Sequence, residues 1–163
     1  GLRPAFASDG SITAANASSI SDGASALLLM GEREAVARGL SPMARIVAHS
    51  RHSQAPGEFT IAPIGAIRSL LEKTGWDTAD VDLFEINEAF AMVTMLAMQD
   101  LGLDHARVNV NGGACAQGHP IGSTGSRIIV TLMYALKQRG LKRGVAGLCI
   151  GGGEATAVAI EMV

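Results

Sequence analysis

Residues 144–162 read GVAGLCIGGGEATAVAIEM, two short apolar segments separated by three consecutive glycines. Apolar segments of this length bounded by glycines are typical of buried β-strands, so we predict strands over 144–150 and 155–162. Because the connection between them is so short, the two strands are expected to pair antiparallel, as a hairpin. This hairpin places at least one antiparallel pair in the predicted sheet.

The chain before the hairpin alternates between strand-like and helix-like segments. Further strands are predicted over 24–30, 43–49 and 81–86, and helices over 31–38, 63–74, 88–101 and 126–138. For 24–30 periodicity alone also allows a helix. Strands that alternate with helices indicate an α/β layered domain. We therefore predict one domain over 1–163, with a mixed five-stranded sheet and helices on both faces. Residues 1–23, rich in small polar residues, are predicted to be its N-terminal loop region.

Composition excludes several classes of function. With 48% hydrophobic and 17% charged residues among 163, the chain can build a substantial core. A net charge of −2 and 4% aromatic residues argue against binding to nucleic acid or an acidic membrane. The two cysteines are too few for a disulfide framework and favour a reducing, cytoplasmic compartment, and the four histidines show no zinc-ligand spacing, so no metal site is predicted.

Three segments place polar or reactive residues where an apolar strand ends, which is where α/β sheets bind ligands. The first is NEAFA (87–91). Asn87 is open to two interpretations: it caps the following helix, or its amide is held rigidly at the floor of a pocket. Glu88 is expected to lie in the first turn of that helix, as a partner of the helix dipole without a catalytic role.

The second segment is NGGACAQGHPIGSTG (111–125), in which His119 precedes a predicted helix N-terminus. That position disfavours the imidazolium and suits a neutral histidine that acts as a base or a donor. Two alternatives stay open, a tight turn with a surface histidine and a phosphate-binding loop, although neither Walker A nor GxGxxG is matched. Cys115 is expected to be inert and without a distinct partner.

The third segment is CIGGGEA (149–155). Cys149 lies near the end of a predicted strand, where most cysteines are buried and inert. Three consecutive glycines are costly in chain entropy for a plain turn. The alternative interpretation is that their exposed amides form an oxyanion hole.

In this order and at this spacing, the segments resemble the thiolase family, specifically its acetyl-CoA C-acetyltransferases. The resemblance rests on GSITAANASSISDGASALLLM (10–30), NEAFA (87–91), GHPIG (118–122) and the Cys followed by glycines (149–153). It implies a two-half enzyme whose N-terminal half supplies a nucleophilic cysteine. Neither Cys115 nor Cys149 has that cysteine's context. The chain, which begins without Met, is expected to be the C-terminal half and inactive alone.

The resemblance also assigns roles to residues. His119 matches the histidine that activates the nucleophile, Cys149 matches the second cysteine that works as acid and base, and Asn87 matches the asparagine that holds a water in an oxyanion hole. The amide of Gly151 matches the donor of a second hole, and Ser18 lies where the family contacts the pantetheine arm of coenzyme A. Coenzyme A thioesters are the substrates, and no further cofactor is implied.

The implied reaction is the condensation of two acetyl-CoA to acetoacetyl-CoA and CoA, or the reverse thiolysis. Alternatives are a degradative 3-ketoacyl-CoA thiolase of fatty-acid oxidation, a non-catalytic thiolase-like binding protein, and a structural or dimerising fragment. Family members are dimers or tetramers, so a homo-oligomer is expected. The sequence departs from the family's pattern at Gln117 and at Ser123-Thr124, and neither departure removes a catalytic group. The segment TAANAS (13–18) resembles a subset of the family in which a monovalent cation supports the CoA site.

Overall fold

The predicted hairpin is present in the computed structural model, which describes all 163 residues. It consists of β3 (Arg143–Ile150) and β4 (Glu154–Met162), which pair antiparallel from Arg143–Glu161 to Ile150–Glu154. β1 (Ala44–Ser53) pairs antiparallel with the other edge of β4, and β2 (Leu83–Ile86) pairs parallel with β3. The order β1-β4-β3-β2 makes a mixed sheet, as predicted.

The sheet has four strands, so the predicted count of five is wrong. Residues 24–30 form no strand, although their apolar run resembles one, and Leu28 and Leu29 are largely exposed. A run of apolar residues shows only that a segment is hydrophobic. A strand also needs a neighbouring backbone with which to pair. No strand of this chain pairs with 24–30. β1 also continues to Ser53, four residues beyond the end of the predicted strand over 43–49.

Helices cover both faces of the sheet, as predicted. The helices are α1 (Glu32–Ala37), α2 (Ala62–Thr74), α3 (Ala91–Leu101), α4 (Ala114–Gln117) and α5 (Thr124–Arg139). α2 and α3 pack with one core cluster around Ile67, Leu70 and Phe84. α5 packs on the opposite face with a second cluster around Ile128 and Leu132. No helix in the fold is both long enough and apolar enough to cross a membrane.

The glycines of the hairpin turn have structural causes. Gly152 and Gly153 adopt φ angles of 111° and 88°, which side-chain-bearing residues rarely adopt. A methyl group on Gly153 would also collide with the backbone carbonyls of Gln54 and Ala55, because the loop after β1 lies directly against the turn. Gly151 has neither constraint, because its φ is not positive and a methyl group added there would meet no other atom. Local backbone geometry therefore accounts for two of the three glycines.

The segment after β2 does not enter a helix where the sequence predicted. α3 begins at Ala91, and Phe90 occupies the N-cap position in extended conformation. Asn87 is therefore not a helix cap, and Glu88 is not in a first helical turn. The prediction failed because Glu88 and Ala89 favour helices, whereas hydrogen bonds with other segments hold residues 87–90 out of the helix.

Candidate active site

Asn87 directly follows β2, and its buried side-chain amide has one donor group without a partner. Its backbone N–H donates to the Gly147 carbonyl at 2.9 Å and so extends the parallel pairing with β3. Its side-chain Oδ1 accepts from Arg127 Nη2 of α5 at 3.4 Å. The side chain is almost fully buried, yet Nδ2 has no hydrogen-bond partner. Buried polar groups are nearly always paired, so this amide nitrogen is available to a water or a ligand.

A buried ion pair lies beside this amide. Glu85 of β2 and Arg127 of α5 are joined by a 3.7 Å contact between Oε1 and Nη1, with little exposure of either side chain. Burial raises the pKa of Glu85 to about 7, against an opposing effect of Arg127 and with a smaller raising effect of Glu88. Neither residue was predicted from the sequence. A signal was available, because each is a lone charge within an otherwise apolar strand or helix segment.

His119 lies in the loop before α5, as predicted. Its backbone N–H donates to Ser19 O at 2.9 Å, and its ring Nδ1 lies 2.7 Å from Thr124 Oγ1. Burial lowers the pKa of His119, and the positive charge of Arg127 lowers it further. Both effects disfavour the imidazolium. The ring is thus held as a neutral imidazole, the form that can accept a proton.

Glu88 joins the segment after β2 to the glycine-rich segment. Its carboxylate accepts from the backbone N–H of Cys115 at 3.0 Å and from Asn109 Nδ2 at 3.1 Å. The expectation that Glu88 serves a helix dipole is therefore wrong, and so is the expectation that Cys115 lacks a partner. Burial and the adjacent Glu88 raise the pKa of the Cys115 thiol to about 11, which leaves it protonated and unreactive.

Asn109 also binds to β2, and its side chain pairs with the backbone of β2 as a neighbouring strand would. Its side-chain amide exchanges two hydrogen bonds of 2.8 Å with the backbone N–H and C=O of Ile86. It adopts a φ of 47°, unusual for a residue with a side chain. The backbone of Asn109 also donates to Phe84 O. These bonds fix the glycine-rich segment against the end of β2.

Cys149 lies on β3, the parallel neighbour of β2, close to the same strand end as Asn87. Its side chain packs against the α2–α3 cluster, whereas Asn87 faces Arg127 on the α5 side. The two side chains thus point to opposite faces of the sheet near the C-terminal ends of these strands. No hydrogen bond joins Cys149 to Asn87 or His119. Burial raises the pKa of Cys149, so the thiol is protonated at neutral pH. Gly151 follows in the exposed turn.

Ser18 binds the N-terminal loop region to the segment after β2. Its hydroxyl and its backbone N–H both approach the Ala89 carbonyl, each at 3.1 Å. Ala91 N–H donates to Asn16 O, so the loop region and the start of α3 are joined on both sides of Ala89. No group of three or more His, Cys, Asp or Glu side chains could hold a metal ion.

The structure therefore places a buried amide donor and a protonated thiol near the C-terminal ends of β2 and β3, on opposite faces of the sheet, and a neutral imidazole in the loop before α5. Asn87 and His119 share the influence of Arg127, which donates to the first and lowers the pKa of the second. A base beside fixed hydrogen-bond donors suits proton transfer coupled to the stabilisation of an oxyanion.

Comparison with known proteins gives consistent results. Residues 40–162 match the family model described as "Thiolase, C-terminal domain", and residues 1–33 match "Thiolase, N-terminal domain". An acetyl-CoA acetyltransferase of Allochromatium vinosum is 52% identical over 160 residues, covering 98% of this chain and 41% of that protein. The chain therefore spans about two fifths of the length of this relative.

Two solved structures share the fold. The Bacillus anthracis acetyl-CoA acetyltransferase superposes with a TM-score of 0.98 at 50% identity, covering 100% of this chain and 41% of the other. Human mitochondrial 3-ketoacyl-CoA thiolase superposes with a TM-score of 0.92 at 41% identity, covering 99% and 41%. The mixed α/β fold is thus that of both structures.

Proposed function

This chain belongs to the thiolase family, and we propose that it is the C-terminal half of an acetyl-CoA C-acetyltransferase. In this role it provides the acid, the base and the oxyanion donors, while a separate N-terminal half provides the nucleophilic cysteine. The observation that carries the proposal is that one guanidinium, that of Arg127, binds the buried Asn87 amide, whose Nδ2 is unpaired, and lowers the pKa of His119. A fixed donor that is desolvated before substrate arrives stabilises a developing oxyanion far more than a donor in water does.

In the proposed first step, His119 takes the proton from the nucleophilic thiol of the other half. The resulting thiolate attacks the thioester carbonyl, and CoA leaves as the acyl group becomes bound to that cysteine. The His119 ring that has taken this proton and a water held by Asn87 Nδ2 donate to the oxyanion of the bound thioester. The amide of Gly151, free of other constraints in the turn, donates to a second oxyanion.

Cys149 is proposed to move the proton at carbon. In the synthetic direction its thiolate removes a proton from the methyl of the second acetyl-CoA, and the carbanion attacks the acyl group to form acetoacetyl-CoA. In the cleavage direction its thiol protonates the departing carbanion of acetyl-CoA. The raised pKa of Cys149 supports the second role, because the proton is present at neutral pH.

Thiolysis of acetoacetyl-CoA tests this proposal when the chain is assembled with its nucleophile-bearing half. We expect Cys149→Ala to reduce the rate by about 10²–10⁴, the usual contribution of a positioned acid or base. Cys115→Ala is the matched control and should keep most activity, since its thiol only contacts Glu88 O at 4.0 Å. Near-full activity of Cys149→Ala would refute the role.

A second candidate is a 3-ketoacyl-CoA thiolase acting on longer chains, which the similarity to the human mitochondrial enzyme favours. The ratio of kcat/KM for acetoacetyl-CoA to that for 3-ketooctanoyl-CoA separates the two. We expect acetoacetyl-CoA to be preferred by the assembled enzyme. A preference for the longer substrate would establish the second candidate.

The nucleophile-bearing half is proposed to contact the apolar face around residues 24–30. Leu28 and Leu29 are 83% and 65% exposed there, and the segment borders an apolar groove that reaches Tyr134 of α5. Exposed apolar surface of this kind is typical of an interface. We propose that the whole enzyme is a homo-oligomer in the cytoplasm, where the free thiols stay reduced, and that the chain alone is inactive. Mixing the two halves should restore thiolysis, and Leu28→Ser should weaken their association.

A further inference from the structure

Thr124, the first residue of α5, carries a hydroxyl with two neighbours. Oγ1 lies 2.7 Å from His119 Nδ1 and donates to the Pro120 carbonyl at 3.0 Å. The Thr124 side chain belongs to a residue that is 1% exposed, so water does not compete for either bond. From the sequence, this position was expected to differ from the family's pattern without removing a catalytic group.

The hydroxyl has a single proton, and this fixes the direction of its second bond. The Pro120 carbonyl can only accept, so both contacts are hydrogen bonds only when the hydroxyl proton points to Pro120 O and Oγ1 accepts from His119 Nδ1. His119 must then carry its own proton on Nδ1. In a neutral imidazole the other nitrogen, Nε2, is left with a free lone pair. The reverse arrangement, with Thr124 donating to Nδ1, would place the ring proton on Nε2 and leave no basic nitrogen for the substrate side.

Resting on the proposed function, we propose that Thr124 is a positioning residue that holds His119 in the Nδ1–H tautomer, with Nε2 as the base. The charged groups around the ring are compatible with this. Arg127 acts on the imidazole and favours its neutral form, and Arg127 is itself paired with Glu85. The Glu88 carboxylate is held by Cys115 N–H and Asn109. Thr124 is thus the only side chain hydrogen-bonded to the ring.

The tautomer can be measured on this 163-residue chain without any activity. Ring ¹⁵N and ¹H correlation spectra distinguish a protonated Nδ1 from a protonated Nε2. We expect His119 to be Nδ1–H in the wild type and in Thr124→Ser, which keeps the hydroxyl. In Thr124→Val, which keeps the shape and removes the hydroxyl, the Nε2–H form should become populated. His49, His52 and His105 serve as internal controls and should not change.

An Nε2–H ring in the wild type, or an unchanged Nδ1–H ring in Thr124→Val, would overturn the inference. The amide spectrum of each variant shows whether it has folded. If Thr124→Val does not fold, the wild type and Thr124→Ser still decide the matter, because both must be Nδ1–H.

Kinetics of the assembled enzyme separate this inference from the proposed function. We expect Thr124→Val to lower kcat for thiolysis about ten- to a hundredfold with little change in KM, and Thr124→Ser to restore most of it. An inactive wild-type assembly with an Nδ1–H ring would count against the proposed function alone. An active assembly with an Nε2–H ring would count against the role of Thr124 alone.

Discussion

Arg127 Nη2 donates to the side-chain oxygen of Asn87 over 3.4 Å, across the boundary between α5 and the end of β2. A guanidinium has only donors, so the Asn87 oxygen must face Arg127 and the amide nitrogen must face away. The same guanidinium is paired with Glu85. Arg127 therefore orients the group that we propose to hold an oxyanion-hole water.

Replacing Asn87 by Asp tests the donor directly. The change keeps the shape and an oxygen for Arg127 but removes the Nδ2–H group. We expect the thiolysis rate of the assembled enzyme to fall about 10²–10³-fold, the usual loss for one oxyanion donor. Asn111→Asp, an exposed asparagine whose amide oxygen binds only Arg139, is the control. Equal activities of the two variants would argue against a catalytic amide at Asn87.

Arg127 should also set the pH dependence of catalysis. His119 must be neutral to act as a base, and its pKa is lowered by burial and by Arg127. Activity should therefore persist below the ordinary histidine pKa and fall only when the imidazole is protonated. In Arg127→Met the acid limb of the kcat/KM profile should move to higher pH, whereas Arg127→Lys, which keeps the charge, should move it less. Coincident acid limbs in all three proteins would contradict this coupling.

Glu85 makes the stability of the chain depend on pH. Its folded pKa of about 7 lies above the ordinary value of 4.5, so the folded state holds its proton more tightly than the unfolded state does. The associated stability is fully present below about pH 4.5 and is lost as the pH rises towards 7, with a total on the order of 3 kcal/mol. Urea unfolding should show a flatter pH dependence in Glu85→Gln, and no flattening in the exposed control Glu154→Gln. An equally steep dependence in Glu85→Gln would contradict the raised pKa.

The glycine-rich segment should tolerate substitution unequally. A methyl group on Gly113 would overlap the Glu88 carboxylate and displace it from Cys115 N–H and Asn109, whereas one on Gly122 meets nothing. We expect Gly113→Ala to lower the free energy of unfolding by about 1–3 kcal/mol through the lost hydrogen bonds. Gly122→Ala should change it little. Urea denaturation measures both, and similar values would show that Glu88 does not fix this segment.

The sequence predicted the elements whose patterns are local. The hairpin of β3 and β4, the α2 helix ending at Gly75 and the placement of His119 before α5 all depend on periodicity, glycine and proline. The strand predicted over 24–30 was wrong because strand formation depends on a partner that is distant in the sequence. The predicted start of α3 was wrong because tertiary hydrogen bonds, including those of Glu88, hold NEAFA out of the helix.

The candidate site was predictable only as a set of positions. Motif spacing located Asn87, His119 and Cys149, but it gave no indication of which atoms face one another. The hydroxyl of Thr124 and the pair of Glu85 and Arg127 depend on the packing of α5 against β2, which no local pattern encodes. Lone charges in apolar segments were the available signal, and burial gives them their chemical importance.

The central claim is that Asn87, His119 and Cys149 serve one reaction at one thioester. Its most direct test is the exchange of acetyl-CoA methyl protons with D₂O, catalysed by the chain assembled with its nucleophile-bearing half and followed by mass spectrometry. We expect exchange in the wild type and in Cys115→Ala, and a loss of about a hundredfold or more in Asn87→Asp, His119→Ala and Cys149→Ala. Undiminished exchange in any of these three variants would contradict it.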